Sequence, residues 1–142
     1  MPASSGTARG KRQRRIVLRR LRRLTMLALA TARAFLREAA KCRRLVTYRD
    51  MASALQLTPP NTIHQVTVAL ERLMEEDAVA HHPFIAALVI SATLVDLPRR
   101  GFFVCASRLG RFAGDPDGQD ARTFHAKEVD AAFAFWGGVE AG

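Results

Sequence analysis

The chain of 142 residues has the size of one domain, with 49% hydrophobic and 25% charged residues. A chain of this length and composition buries a core without disulfides or structural metals, which excludes the disordered and collagen-like classes. The formal net charge of +9 at pH 7 is typical of proteins that bind nucleic acids or anionic membrane surfaces.

The excess positive charge is confined to the N-terminal segment. Residues 1–25 contain nine Lys and Arg and no acid, whereas residues 26–142 contain thirteen bases and thirteen acids. The nine bases are Arg9, Lys11, Arg12, Arg14, Arg15, Arg19, Arg20, Arg22 and Arg23. We expect residues 1–25 to form a basic arm, disordered over residues 1–10, and residues 26–142 to form one domain. A second interpretation starts the protein at Met26, where an ordinary first helix begins.

The sequence favours a cytoplasmic protein. Residues 24–30 imitate a secretory signal, but this apolar stretch is short and an Arg precedes the imitated cleavage site. No run approaches the roughly 18–20 apolar residues of a membrane-spanning helix. The two cysteines, Cys42 and Cys105, are too few for a disulfide framework, and we expect them to be buried thiols.

Two apolar repeats predict helices in the first third of the chain. The first repeat has spacings of four, three and four, and it comprises Val17, Leu21, Leu24 and Ala28. Arginines occupy the other faces, so this is a basic amphipathic helix that can lie on phosphates or lipid, or extend the next helix. The next helix covers residues 26–42 and has a buried stripe at Leu29, Ala32, Leu36 and Ala39.

Two capping boxes frame a helix, a turn and a second helix. Thr47 with Asp50 three residues later starts a short helix, which Pro59 and Pro60 stop. The run TIHQ at residues 62–65 is the second box and starts a longer helix that ends near the acidic residues 75–77, which we expect to be solvated. The predicted buried stripe of this helix is Ile63, Val66, Leu70, Leu73 and Met74.

The second half of the chain predicts a strand and two helices. Residues 84–91 are a nearly unbroken apolar run after Pro83, which favours a buried strand. A brief helix follows as far as Leu109, and a last helix runs from about Asp120 to Trp136. The predicted fold class is therefore α+β and mostly helical, a winged-helix-like domain with a short sheet and a C-terminal helix.

The order of short helix, turn, longer helix and strand is that of a helix-turn-helix with a wing, whose second helix presents its outward side chains to DNA. The opposing interpretation is a packing motif in a small α+β domain. The candidate nucleic-acid-binding residues are Arg43, Arg44, Tyr48, Arg49, His64, Gln65, Thr67 and Arg72. Glu71 lies on the same face and opposes phosphate attraction.

The run VTYRDMA at residues 46–52, the run HQVTVAL at residues 64–70 and Pro83 resemble the winged-helix domain of the DNA alkyltransferases and alkyltransferase-like proteins. The resemblance spans roughly residues 30–95 and implies a DNA-binding fold in which Tyr48 and His64 contact DNA. The family's arginine finger falls on His64, and Phe84, Ile85 and Ala86 stand where its reactive cysteine and histidine are expected. Alkyl transfer is therefore not expected.

Residues 26–136 also resemble a group of small bacterial proteins to which no activity is attached. The resemblance lies in the Thr-Tyr helix, in PFIAALVIS at residues 83–91 and in LPRRGFF at residues 97–103. It supports the domain boundary and a bacterial cytoplasmic setting.

We therefore expect a non-enzymatic DNA-binding protein without cofactor or metal. The His and Cys spacings suit neither structural zinc nor nucleophilic catalysis. The alternative is a protein-protein adaptor that docks through the loop at residues 97–103 and the aromatic C-terminal helix. The sequence does not indicate the oligomeric state.

Overall fold

The computed structural model describes residues 3–138, without the side chains of residues 3–9, Leu21 and Leu24. The five helices there are α1 (Ala3–Lys41), α2 (Tyr48–Ala54), α3 (Thr62–Val79), α4 (Arg100–Arg108) and α5 (Gln119–Trp136). Strands β1 (Val46–Thr47) and β2 (Val89–Ile90) pair in parallel, with Val46 opposite Val89. The fold is thus α+β and mostly helical, as the sequence predicts.

Helix α1 is continuous from the N-terminal segment into the domain. Residues 3–10, for which the composition predicts disorder, belong to it, and the two helices expected from the apolar repeats form one helix of 39 residues. Its alanine, leucine and arginine residues all favour helix, and no proline follows Pro2 until residue 59. The domain end of α1 packs through Ala32, Leu36 and Ala39, which are fully buried.

The two predicted capping boxes have different outcomes. The first is confirmed, because the Thr47 hydroxyl accepts from the Asp50 N–H at 3.1 Å and the Asp50 carboxylate accepts from the Thr47 N–H at 3.0 Å. The second is wrong, because the N-cap of α3 is Asn61 in a left-handed conformation and no side chain caps it. The side chain of Gln65 instead donates to the carbonyls of the preceding turn.

Residues 83–90, here called the central segment, lie between α1, α3 and α5. The segment is buried as predicted, but half of the predicted strand is a 3-10 helix (Ile85–Leu88), and only Val89 and Ile90 pair in the sheet. Its backbone groups bond to side chains of the surrounding helices. Glu128 accepts from the Phe84 N–H (2.8 Å), Asp77 accepts from the Ile85 N–H (3.0 Å), and His125 and Trp136 donate to the Ala87 and Pro83 carbonyls (2.9 and 2.8 Å). These bonds replace those of a longer β-ladder.

Asp77 is the clearest departure from the expected solvated acidic cluster. It is 1% exposed and forms an ion pair with Arg33 of α1 at 2.8 Å. Glu76, which is exposed, pairs with the same guanidinium at 2.9 Å. The cluster therefore fastens α3 to α1.

None of the helices in the described part of the chain combines the length and apolar character that a bilayer crossing requires. Both cysteines are free. Cys105 is buried as expected, but Cys42 is exposed because it follows the last turn of α1.

Candidate nucleic-acid interface

The first half of α1 projects from the domain as a basic helical arm, defined here as residues 3–27. Every side chain from Lys11 to Arg20 is exposed, and burial begins at Ala28 and Leu29. Residues 3–25 extend about 35 Å at 1.5 Å per residue. The arm therefore presents its positive charge along a line away from the core.

No carboxylate neutralises the described bases of the arm. In the part of the chain whose side chains are described, each carboxylate that forms an ion pair does so with a cation of the domain: Arg33, Lys41, Arg100, Arg108 or Arg111. The segment from Lys11 to Arg23 contains no acid, so no pair forms within it either. Its charges are available to an external polyanion.

An apolar groove of about 320 Å³, here called the α1–α3 groove, separates the base of the arm from α3. It is lined by Thr25, Ala28 and Leu29 of α1, by Leu55 and Leu57 of the turn, and by His64, Gln65, Val68, Ala69 and Arg72 of α3. His64, Gln65 and Arg72, which are all exposed, contribute its polar groups on α3, beside the arm. The face of α3 that the sequence assigns to DNA is therefore partly flanked by α1.

Two of the candidate residues on α3 form hydrogen bonds to backbone carbonyls of the protein. The Gln65 amide donates to the carbonyls of Thr58 (3.3 Å) and Pro60 (3.1 Å). The Thr67 hydroxyl donates to the Ile63 carbonyl at 3.1 Å. Donor groups held in this way are not free to read base edges, so of the candidates on α3 His64 and Arg72 remain open to an external ligand.

Tyr48 lies in the core rather than on the surface. It is 6% exposed, its hydroxyl accepts from the Arg99 N–H at 2.9 Å, and the Arg99 guanidinium lies 5.5 Å from the ring centroid. Burial raises the pKa of the phenol above 10.0, although the contacts with Arg99 oppose this shift. The phenol thus joins the start of α2 to the start of α4, and it is Arg49 beside it that is exposed.

Arg43 and Arg44 are exposed at the opposite end of α1. From Thr25 to Lys41 the helix rises about 24 Å, which separates these arginines from His64 and Arg72. The Arg43 guanidinium lies 5.8 Å from the centroid of the Phe133 ring. The candidate residues therefore do not form one patch: one group lies near the arm and the other at the far end of α1.

The aromatic rings expected to form an adaptor surface belong to the core. Phe102 and Phe103 are 6% and 2% exposed and stack edge to face at 5.2 Å. Trp136 is 9% exposed, and Phe135 is the ring of the last helix turn that stays half-exposed. The buried rings therefore do not contribute to the docking surface that the sequence predicts at residues 97–103 and the last helix.

The remaining candidates for catalysis, Cys105 and His125, are buried and form their contacts within the protein. Burial raises the pKa of the Cys105 thiol, which makes it a poor nucleophile, and burial lowers the pKa of His125, whose Nε2 donates to a backbone carbonyl. Within residues 3–138, no three His, Cys, Asp or Glu side chains are arranged to hold a metal ion.

The residues of α1 that line the groove were not among the sequence candidates. Part of their signal is present in the sequence, because Ala28 belongs to the apolar repeat that starts at Val17 and Leu29 belongs to the predicted buried stripe of the next helix. Comparison with protein families, with curated proteins and with solved structures finds no match to this chain.

Proposed function

We propose that this protein is a non-enzymatic DNA-binding protein that attaches to the phosphate backbone through the basic helical arm. One observation carries the proposal. The arm holds nine bases and no acid on one helix, and its described bases have no carboxylate partner. A helix with cations on most of its faces presents several of them at once to the phosphates along a duplex.

The length of the arm fits this role. The cations from Arg9 to Arg23 rise about 21 Å along the helix, which spans about six phosphates of one strand, since the bases are 3.4 Å apart along each strand. Each phosphate contact releases condensed counterions, so the affinity depends steeply on salt and little on sequence.

The domain adds weak selectivity at most. In a winged-helix-like arrangement α3 would lie beside the DNA, and His64 and Arg72 would contact it next to the arm. Gln65 and Thr67 contribute little, because their donors are bonded within the protein. The strand β2 pairs in parallel with β1 over two residues, so no hairpin formed by β2 acts as a wing in the described chain.

The test compares two double variants of the full chain on a random duplex at about 50 mM and about 200 mM salt. Arg19→Gln with Arg22→Gln removes two arm charges, and Arg122→Gln with Lys127→Gln removes two exposed charges of α5 as the matched control. Each lost phosphate contact lowers the slope of log affinity against log salt by about 0.9, so the arm variant loses about two units.

The control variant should keep the slope of the parent protein. Equal slopes for the arm variant and the parent would refute phosphate contact by the arm. Absence of any binding at low salt would refute the proposed function altogether.

A further inference from the structure

The α1–α3 groove is an apolar surface that phosphate contact does not use. Half-buried aliphatic side chains form most of its lining, and they are Ala28, Leu29, Leu55, Leu57 and Ala69. Val68, on the α3 wall of the groove, is 44% exposed. Apolar side chains that stay together and open to solvent are typical of a surface that binds a partner.

The two walls of the groove are helices that run antiparallel. Arg33 of α1 pairs with Asp77 near the end of α3, whereas residues 25–29 line the groove together with residues 64–72. Residues 64–72 rise about 12 Å, which is about two helical turns. In the interior of both helices the backbone groups bond to one another, so an extended strand would gain few main-chain hydrogen bonds here. A helix, which binds such a groove through its side chains alone, suits these walls better.

The charges beside the groove are positive. Arg72 lines the α3 wall and is exposed, and no carboxylate is among the described residues of the lining. Arg22, which is also exposed, lies three residues before Thr25 and seven before Leu29. Helical periodicity therefore places Arg22 on the groove side of α1, at the arm end of the groove.

The carboxylates of α3 nearest to Arg72 in sequence are directed elsewhere. Glu75 pairs with α4 at 3.7 Å, and Glu76 pairs with α1 at 2.9 Å. Glu71 lines a separate small pocket next to α4. Among the residues that the structure describes, Arg72 therefore forms no ion pair, and it remains available to a carboxylate from outside.

The combination of an apolar lining and flanking cations selects among possible occupants. A DNA duplex offers phosphates but no apolar ridge, so it would leave the aliphatic lining uncovered. The arm of a second copy carries nine bases and no acid, so it is repelled by Arg22 and Arg72. A helix with an apolar face and carboxylates on its flanks satisfies both the lining and the cations.

We propose that the α1–α3 groove docks an acidic amphipathic helix of a partner protein. The apolar face of that helix covers the aliphatic lining over about two turns, with side chains at spacings of three and four residues. Its carboxylates pair with Arg72 on the α3 wall and with Arg22 at the arm end. This docking adds to the proposed function and does not depend on it.

The test uses the full chain and three fluorescein-labelled synthetic peptides of about 15 residues, long enough to form a helix. The acidic probe has leucine along one face and glutamate on both flanks. The second peptide has lysine in place of glutamate, and the third has the composition of the acidic probe with its leucines scattered round the helix. Fluorescence anisotropy at about 150 mM salt, which screens diffuse attraction to the arm, should detect binding of the acidic probe alone.

Two groove variants, each with a matched control, locate the probe. Val68→Asp puts a charge into the apolar lining, and its control is Val104→Asp on α4, where the valine is 45% exposed. Arg72→Glu reverses the charge of the α3 wall, and its control is Arg122→Glu on α5, which is also exposed. Within each pair the net charge changes equally, so diffuse attraction changes equally too.

The groove variants should bind the acidic probe about tenfold more weakly or worse, because a charge is buried against leucine or opposes glutamate, and the controls should stay within about twofold of the parent. All four side chains are exposed, so the variants should fold. Circular dichroism spectra that match that of the parent protein check this.

The remaining outcomes separate the two proposals. Equal weakening by a groove variant and its control, or equal binding of the acidic probe and the scattered peptide, would overturn the inference, because the charge of the arm would then explain the binding. No binding of the acidic probe would also overturn it, and a loss of duplex affinity in Val68→Asp alone would then assign the groove to DNA. Groove-dependent binding of the probe by a protein that binds no DNA would refute the proposed function and leave this inference standing.

Discussion

Replacing Asp77 by asparagine perturbs the junction of α1, α3 and the central segment. The Asp77 carboxylate is 1% exposed, pairs with Arg33 at 2.8 Å and accepts from the Ile85 N–H at 3.0 Å. Asparagine has nearly the same shape and keeps an acceptor for Ile85. The substitution therefore removes the negative charge and leaves the fold geometry otherwise matched.

The expected cost follows from the surroundings of the pair. Removing one partner of a buried ion pair costs about 3–5 kcal/mol. Two features reduce this figure. In the variant Arg33 retains its ion pair with Glu76 at 2.9 Å. Burial also raises the pKa of Asp77 despite its bonds to Ile85 and Arg33, which shows that these bonds do not recover the full cost of desolvating the carboxylate. We expect Asp77→Asn to lower the free energy of unfolding by about 2 kcal/mol. Asp77→Ala also strands the Ile85 N–H, for a total of about 4 kcal/mol.

The assay is urea unfolding at neutral pH followed by far-ultraviolet circular dichroism, with free energies compared at a common m value. Glu76→Gln is the control, because it removes the 54% exposed partner of the same arginine and should cost less than about 1 kcal/mol. Equal costs for Asp77→Asn and Glu76→Gln would refute the importance of burial. Equal costs for Asp77→Asn and Asp77→Ala would refute the contribution of the bond to Ile85.

Three other residues give predictions of smaller scope. Burial lowers the pKa of His125 below 6.5, so on acidification the unfolded chain binds a proton that the folded chain does not, and the free energy of unfolding falls as pH decreases below 6.5. The urea midpoint should therefore drop between about pH 7.5 and about pH 5.5, and it should drop less in the His125→Gln variant. Thr47→Ala should cost about 1 kcal/mol in the same assay, and Thr62→Ala well under half of that, because only the first capping box forms. Tyr48→Phe should cost about 1 kcal/mol by stranding the Arg99 N–H, and should leave DNA affinity unchanged by fluorescence anisotropy; a loss of affinity would contradict its core role.

Helices α2, α3 and α5 were predictable because their signals are local. The periodicity of the apolar residues placed α3 and α5 to within two residues, and the pairing of Thr47 with Asp50 fixed the start of α2. The prediction of the second capping box was wrong because its residue types can either cap the helix or bond to the preceding turn. Gln65 is close enough to the turn at residues 58–60 to bond its carbonyls, and Asn61 takes the N-cap position instead of Thr62.

The tertiary roles of polar residues were not predictable from spacing. Asp77 sits among other acids at a helix end, which is typical of a solvated position, and its partner Arg33 is 44 residues away. The apolar run at residues 84–91 shows burial but not backbone form, since a buried 3-10 turn and a buried strand have the same composition. The candidate residues lie in two separate groups for the same reason. The sequence shows their residue types, but the length of α1 determines how far apart Arg43 and Arg72 lie.

The central segment also makes the last helix indispensable. Its backbone bonds reach 38, 44 and 53 residues along the chain to His125, Glu128 and Trp136. During synthesis, the segment has no partners for these groups until α5 has left the ribosome, so we expect the domain to reach its native packing only after translation of α5, as a unit of high contact order. A chain shortened before α5 would expose residues 83–90, which are strongly apolar, as a segment prone to aggregation.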